Sequence, residues 1–254
     1  VVGWGSNSNG EADAPDGLSG VTQISAGHAH NLALKSDGTV VAWGINNNDQ
    51  TDLPDGLSEV IQISAGSDHS LALKSNGTVV GWNHNNDGQS AVPDGLSDVI
   101  QVEGGAYHSL ALKSDGTIVG WGRNNYGQST APEGLTDVIS VTAGVDHSVV
   151  LKSNGTVVVW GRNNYGQMDI PGGLSDVTQI SANSSHTLAL KSDGTVVGWG
   201  RNHLGMVDIP AGLDLFVPSS DLTCVQDCAG TWGGSSSLDA CDVCDGPGLN
   251  ANGC

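Results

Sequence analysis

The chain has 254 residues, with 27 acidic against 8 basic side chains and a formal net charge of −19. That balance excludes nucleic acid and anionic membrane surfaces as partners, because Lys and Arg must replace the counterions such surfaces release, and no apolar run approaches the ~20 residues a spanning helix needs. The 38 glycines, set against 3 Tyr, 2 Met and 1 Phe, exclude a helical bundle with a large aromatic core and suit short strands joined by tight turns.

The first residues, VVGWG, read as a strand already under way, so the natural start is expected upstream of Val1. From there the chain keeps a period. Trp stands at 4, 43, 82, 121, 160 and 199, every step being 39 residues. His30, His69, His108, His147 and His186 follow the same step, as do Lys35, Lys74, Lys113, Lys152 and Lys191. WGRNNYGQ occurs at 121–128 and again, letter for letter, at 160–167. A fixed period of this length marks a tandem repeat.

One copy, 21–58, shows the elements in order. VTQISAG predicts a short strand closed by glycine, and HNLALK alternates Leu32 and Leu34 with Asn31 and Ala33, the pattern of a half-buried second strand. SDGT then signals a hairpin of type I′, and Asn76-Gly77 and Asn154-Gly155 replace Asp-Gly in two copies with the same turn chemistry. TVVAWG is the third strand. An Asn-rich loop and a PDGL turn follow, with a short fourth strand expected before the next copy.

Three or four antiparallel strands in about 40 residues make one propeller blade, which buries its two faces only against neighbouring copies. A linear β-solenoid is the rival, but its coils are shorter and seldom hold hairpins. The expected fold is therefore all-β: a β-propeller of 39-residue blades over 1–213, a linker at 214–223 and a small Cys-rich, Asp/Gly-rich irregular module at 224–254. Five copies are complete and a half copy leads them, so the chain reads as part of a six- or seven-bladed ring; after Leu213 the text DLFVPSSD leaves the pattern.

The unit VxxIxAGxxHxLALKSDGTVxxWGxNxxGQxxxPxGL resembles the repeat of the regulator of chromosome condensation family over 1–213, with the AG-x-x-H and W-G columns its most specific part. It is most similar to short-repeat bacterial members such as the propeller-type β-lactamase inhibitory protein. The resemblance implies a seven-bladed propeller. It also implies, as alternatives, a regulator of the guanine-nucleotide-exchange type or an inhibitor of a hydrolase. No basic tail supports the exchange reading, since all eight Lys and Arg occupy repeat positions.

Residues copied into every blade serve what every blade does, which is folding. The Trp column reads as core. The His column reads as packed within its own blade and bonded to a backbone carbonyl, with a channel-lining metal or acid–base ring as the sharper alternative. The Lys column reads as solvated strand ends. What varies between copies is free to recognise. In the loop after Trp, and in the pair between AG and His, the varied residues are Arg123, Tyr126, Arg162, Tyr165, Arg201, His203, Asp68, Tyr107 and Asp146, several of them types enriched in binding hot spots. These nine are the candidate binding face.

No nucleophile elbow, phosphate-binding Gly loop or HExxH occurs, so a non-enzymatic binding protein without a cofactor is expected, recognising a protein or glycan. Asn76, Asn154 and Asn183 match glycosylation acceptors, although turns explain the first two. All five cysteines, Cys224, Cys228, Cys241, Cys244 and Cys254, lie in the tail. Disulfides suit so small and acidic a segment, and they place the protein outside the cell or on its surface; a zinc site built from the first four is the competing reading. Asp227, Asp239, Asp242 and Asp245 are weak calcium candidates.

Overall fold

The computed structural model describes residues 1–210 and residue 213. The chain divides into two units, Val1–Asp214 and Leu215–Cys254, and the first carries the repeats. The cysteine, zinc and calcium expectations of the tail, and the linker at 214–223, lie outside the described residues.

Five three-stranded antiparallel sheets follow one another in the first unit, each with its strands in chain order. The first blade holds β1 (Val21–Ala26), β2 (His30–Lys35) and β3 (Val40–Gly44). The second holds β4 (Val60–Ala65), β5 (His69–Lys74) and β6 (Val79–Asn83). The third has β7 (Val99–Gly104), β8 (His108–Lys113) and β9 (Ile118–Gly122). The fourth has β10 (Val138–Ala143), β11 (His147–Lys152) and β12 (Val157–Gly161). The fifth has β13 (Val177–Asn183), β14 (His186–Lys191) and β15 (Val196–Gly200).

The expected fourth strand does not form. Its place is taken by the PDGL turn, where Leu57 N–H donates to the Pro54 carbonyl at 3.2 Å and Gly56 supplies a φ of +73°. The hairpin also differs from the type I′ turn expected. Gly38 N–H donates to Lys35 O and Lys35 N–H to Thr39 O, each at 2.9 Å, and within Asp37-Gly38 only the glycine has positive φ. This is a longer loop with a glycine bulge. Asp37 is free of the left-handed region, so its Oδ1 instead accepts from Thr39 N at 3.0 Å and Thr39 Oγ1 at 2.6 Å.

The core lies between blades. Leu32, Leu34 and Val40 of the first blade pack on Val60, Ile63, Ala72 and Trp82 of the second, and the same set recurs at the next three junctions. The middle strand is consequently buried on both faces: His69 through Leu73 are all buried, where alternation alone predicts one wet face. Burying a Leu or Val side chain contributes about 1.5–3 kcal/mol, so each junction is held by a cluster no single blade could form.

The first strand of each sheet is an edge, and glutamine side chains bridge it to the next. Gln23 Nε2 donates to Ile63 O at 2.9 Å while Ile63 N–H donates to Gln23 Oε1 at 3.0 Å. Gln62 does the same to Val102, and Gln101 to Val141. An amide thus stands in for the missing ladder and closes the exposed edge that would otherwise invite mispairing. The fourth copy has Ser140 at this position, which is too short for the bridge.

Candidate binding face

Both variable stretches sit on one rim. The first residue of each post-Trp loop donates its N–H to the second residue of the neighbouring β-turn: Ile45 to Ala29, His84 to Asp68, Arg123 to Tyr107, Arg162 to Asp146 and Arg201 to Ser185, at 2.8–3.2 Å. The hairpins and their lysines occupy the opposite ends of the same strands, so the loop face carries the three arginines and the hairpin face the five lysines. Lys35 and Lys191 pair there with Asp37 and Asp193 at 3.1 and 2.9 Å.

The loop frame is set by an Asn that every blade shares and a Gln that the first four share. Asn124 Oδ1 accepts from Ser129 N at 3.0 Å, and the equivalent Asn163 accepts from Met168 N at 2.7 Å. Gln128 and Gln167 are buried, and their Oε1 atoms accept from Tyr126 N and Tyr165 N at 2.9 and 2.8 Å. Their carbonyls reach the next blade, accepting from Trp160 Nε1 and Trp199 Nε1 at 2.9 Å. Gln89 O accepts from Trp121 Nε1 in the same way at 2.8 Å. This glutamine column, Gln50, Gln89, Gln128 and Gln167, was readable as a repeated GQ or DQ, but its role shows only in three dimensions. Glu11 O takes the same place for Trp43 at 3.1 Å. Trp4 is 87% exposed.

The second copy shows how tightly this junction is specified. The residue after Trp has positive φ, +107° at Gly44 and +110° at Gly161, but the second copy has Asn83 at +77°. Asn is among the residues that tolerate the left-handed region. Its Nδ2 donates to Gln50 O at 3.0 Å, and Trp82 Nε1 is left buried without a partner.

The histidine column is structural, but not in the way its sequence suggests. The rings of His30, His69, His108 and His147 each cross to the next blade rather than bonding a carbonyl in their own. His69 Nε2 meets Ser109 Oγ at 2.9 Å, and Ser109 Oγ–H donates to Gln89 O at 2.7 Å. His108 reaches Ser148 at 2.8 Å, and Ser148 donates to Gln128 O at 2.7 Å. Because each serine spends its proton on the carbonyl, Nε2–H must be the donor, and Nδ1 is the unpartnered lone pair at His69 and His108. The ring lies against the glycine of AG-x-x-H: a Cβ at Gly66 or Gly105 would run into His69 or His108, which accounts for that column. Burial pushes His30 down to about 4, His69 and His108 to about 3, and His147 to about 4. The rings are neutral at pH 7 and lie at separate junctions. Among the described residues no three His, Cys, Asp or Glu side chains converge to hold a metal.

The nine candidates fall into three groups. Six form stacked pairs on neighbouring segments: the Arg123 guanidinium lies 4.6 Å from the Tyr107 ring centre, Arg162 lies 4.8 Å from Tyr126, and Arg201 lies 4.9 Å from Tyr165. The last two pairs cross from one blade's loop to the next. Tyr126 and Tyr165 remain 46% and 47% exposed, so each ring keeps apolar surface to offer. The aspartates serve the frame instead. Asp146 is buried and accepts from Arg162 Nη1 at 3.1 Å and Gln128 Nε2 at 3.3 Å. Asp68 is half-buried and is approached by Gln50 Nε2 at 3.4 Å. His203 lies exposed in a 3-10 turn, His203–Gly205, apart from the stacks.

The description "Regulator of chromosome condensation (RCC1) repeat" matches residues 21–50, 60–89, 99–128, 138–167 and 177–205, more than half of the chain. The chain belongs to the RCC1 repeat family. Each of the first four matches ends on the buried glutamine that joins one blade to the next. Among solved structures, human WBSCR16 is 26% identical with a TM-score of 0.61, covering 74% of this chain and 64% of its own. Prp20p from Saccharomyces cerevisiae is 22% identical with a TM-score of 0.62, covering 84% and 63%. The ectodomain of the receptor kinase CR4 from Physcomitrella patens is 22% identical with a TM-score of 0.63, covering 78% and 55%. The chain thus spans less than two thirds of the length of each. No curated protein matches it.

Proposed function

We propose that this RCC1-repeat propeller is a non-enzymatic scaffold that binds a protein through the loop face of its third to fifth blades, and that it works outside the cell or on its surface. The carrying observation is the row of three arginine–tyrosine stacks. A stack of this kind contributes about 0.5–1 kcal/mol at an exposed site, and it holds a long arginine side chain in place before any partner arrives. Pre-ordered anchors lower the entropy lost on association, and Tyr and Arg are the residue types in which binding energy concentrates. The first two blades show Ile45, Asn48, His84 and Asp87 at the corresponding loop positions and no such stack. Recognition is therefore assigned to one side of the wheel.

Support for a protein partner also comes from the family, since the structural relative Prp20p has binding properties toward Gsp1p and histones. The exchange-factor alternative has the shared fold behind it, at 22% identity. The exterior location rests on the cysteine-dense, Asp/Gly-rich tail.

The test is a capture experiment on the natural cell surface or culture medium, comparing the parent chain with a variant in which Arg123, Tyr126, Arg162 and Tyr165 are all alanine. A partner held by the parent and lost by the variant supports the reading; equal capture contradicts it. Loss of capture after the extract is treated with glycosidase assigns recognition to a glycan.

A further inference from the structure

The C-terminal ends of the five inner strands surround a cavity of about 350 Å³ that opens beside the loop-face turns. Its wall is Gly27, Gly66, Gly105 and Gly144 with small neighbours, and its ionisable residues are His28 and Glu103. The repeat explains the small residues. It does not explain Glu103.

At the equivalent position the other copies have a hydroxyl, and the hydroxyl has a job. Ser25 Oγ accepts from Ala65 N at 2.9 Å, Ser64 Oγ from Gly104 N at 2.9 Å, and Thr142 Oγ1 from Ala182 N at 3.1 Å. Each ties one inner strand to the next. Glu103 breaks this series at the third junction, where Ala143 N is due its partner. The residue after it also changes, from Ala to Gly104, whose Cβ would crowd Gly66 N and the His69 ring. The third copy has thus given up an inter-blade bond to place a carboxyl in the cavity. No ion pair or hydrogen bond holds that carboxyl among the described residues.

We propose that the central cavity is a binding site for a primary ammonium group, with Glu103 as its counter-ion and the hydroxyls of Ser25 and Ser64 in the same wall. One carboxylate matches one positive charge, and the wall lacks the additional anionic oxygens a divalent cation requires. The ammonium belongs either to a free alkylamine or to a lysine side chain reaching in from the loop face. Only the second source rests on the protein-binding reading above.

The surroundings set the proton balance of binding. Burial raises the Glu103 carboxyl to about 8. His28, just after β1, is the other titratable group in the cavity wall, while the flanking inner strands β4 and β10 carry no titratable side chain. β5 brings His69 and Lys74, and β8 brings His108 and Lys113; the two rings are held neutral by burial, and the lysines stand at the hairpin ends of their strands. Below pH 8 the empty site carries a proton on Glu103, and an entering ammonium must displace it. Binding therefore releases a proton and strengthens as pH rises from 6 to 8.

Titration calorimetry with n-propylammonium at pH 6, 7 and 8, in two buffers of different ionisation heat, tests this on the parent chain and on Glu103→Gln and Glu103→Ser. The serine variant restores the residue of the other copies, so it folds whether or not the proposal holds. Saturable binding that tightens about 10-fold from pH 6 to 7 and about 5-fold from pH 7 to 8, releases close to one proton at pH 7, and weakens at least 10-fold in both variants supports the site. Absence of saturable binding by the parent at pH 8, or equal binding by Glu103→Gln, overturns it. An N-acetyl-lysine amide probe run alongside separates the sources: propylammonium alone binding assigns a free amine, and both binding admits a partner's lysine. Neither result depends on the Arg–Tyr stacks, so failure here leaves the loop-face reading intact.

Discussion

The two rims of this wheel are made by the same 39-residue unit, yet they treat variation differently. On the hairpin rim every copy keeps Lys, Ser, Gly and Thr, with Asp or Asn between, because the turn's own side-chain bond from Thr to Asp or Asn Oδ1 is what shapes it. On the loop rim the shaping bonds come from a frame of exposed Asn and buried Gln side chains and from backbone groups. The outward residues between those pins are then free to differ, and they do. Most of the variability on this rim falls where the fold makes no demand, with Asp146, which bonds within the frame, as the exception.

The rims also respond differently to acid, which gives the largest expected effect. Folded His30, His69, His108 and His147 are depressed to between about 3 and about 4 from an ordinary 6.5. The unfolded chain then binds more protons than the folded one below pH 6.5, and stability falls with pH from there down. The hairpin aspartates Asp37 and Asp193, held at about 2 chiefly by hydrogen bonds from Thr39 and Lys191 respectively, lose their contribution only as pH drops from about 4 through about 2. Circular dichroism at stepped pH should show the blades separating between pH 6 and 4, before the hairpin window is reached. A wheel intact at pH 3.5 would detach the histidines from the junctions.

Removing one junction histidine comes next. His108→Ala deletes a buried ring and its bond to Ser148, at a cost of about 3 kcal/mol, measurable by urea unfolding. Arg162→Ala is expected to cost about 1 kcal/mol, because Asp146 stays buried with Gln128 as its remaining partner. The smallest effect has the opposite sign. Asn83→Gly relieves a left-handed side chain and returns Gln50 O to the orphaned Trp82 Nε1, for a gain of about 0.5 kcal/mol by the same assay.

Much of the fold was legible in the sequence because its period is uninterrupted. Strand order and the Trp core follow from columns of identical letters. What escaped is what passes between copies. His69 and Ser109 are 40 residues apart, and nothing in a single unit says that a ring reaches forward rather than back. Nothing in the letters of the Gln50 column marks it as buried, yet Gln50 is fully buried. Residue type and variability singled out the arginines and tyrosines that stack on one another, whereas Asp146 shared those marks and bonds within the frame. Glu103 was visible as a break in a Ser/Thr column, but only the cavity gives that break a meaning.

The most direct test of the division between frame and rim is the melting temperature of a triple variant, Tyr126→Ala, Tyr165→Ala and Arg201→Ala, which strips exposed members of the stacks. If the rim is free for recognition, the variant melts within about 3 °C of the parent, equivalent to about 1 kcal/mol for a domain of this size. A fall of about 10 °C or more would mean that these side chains hold the wheel together, and the separation drawn between the two sets of residues would be wrong.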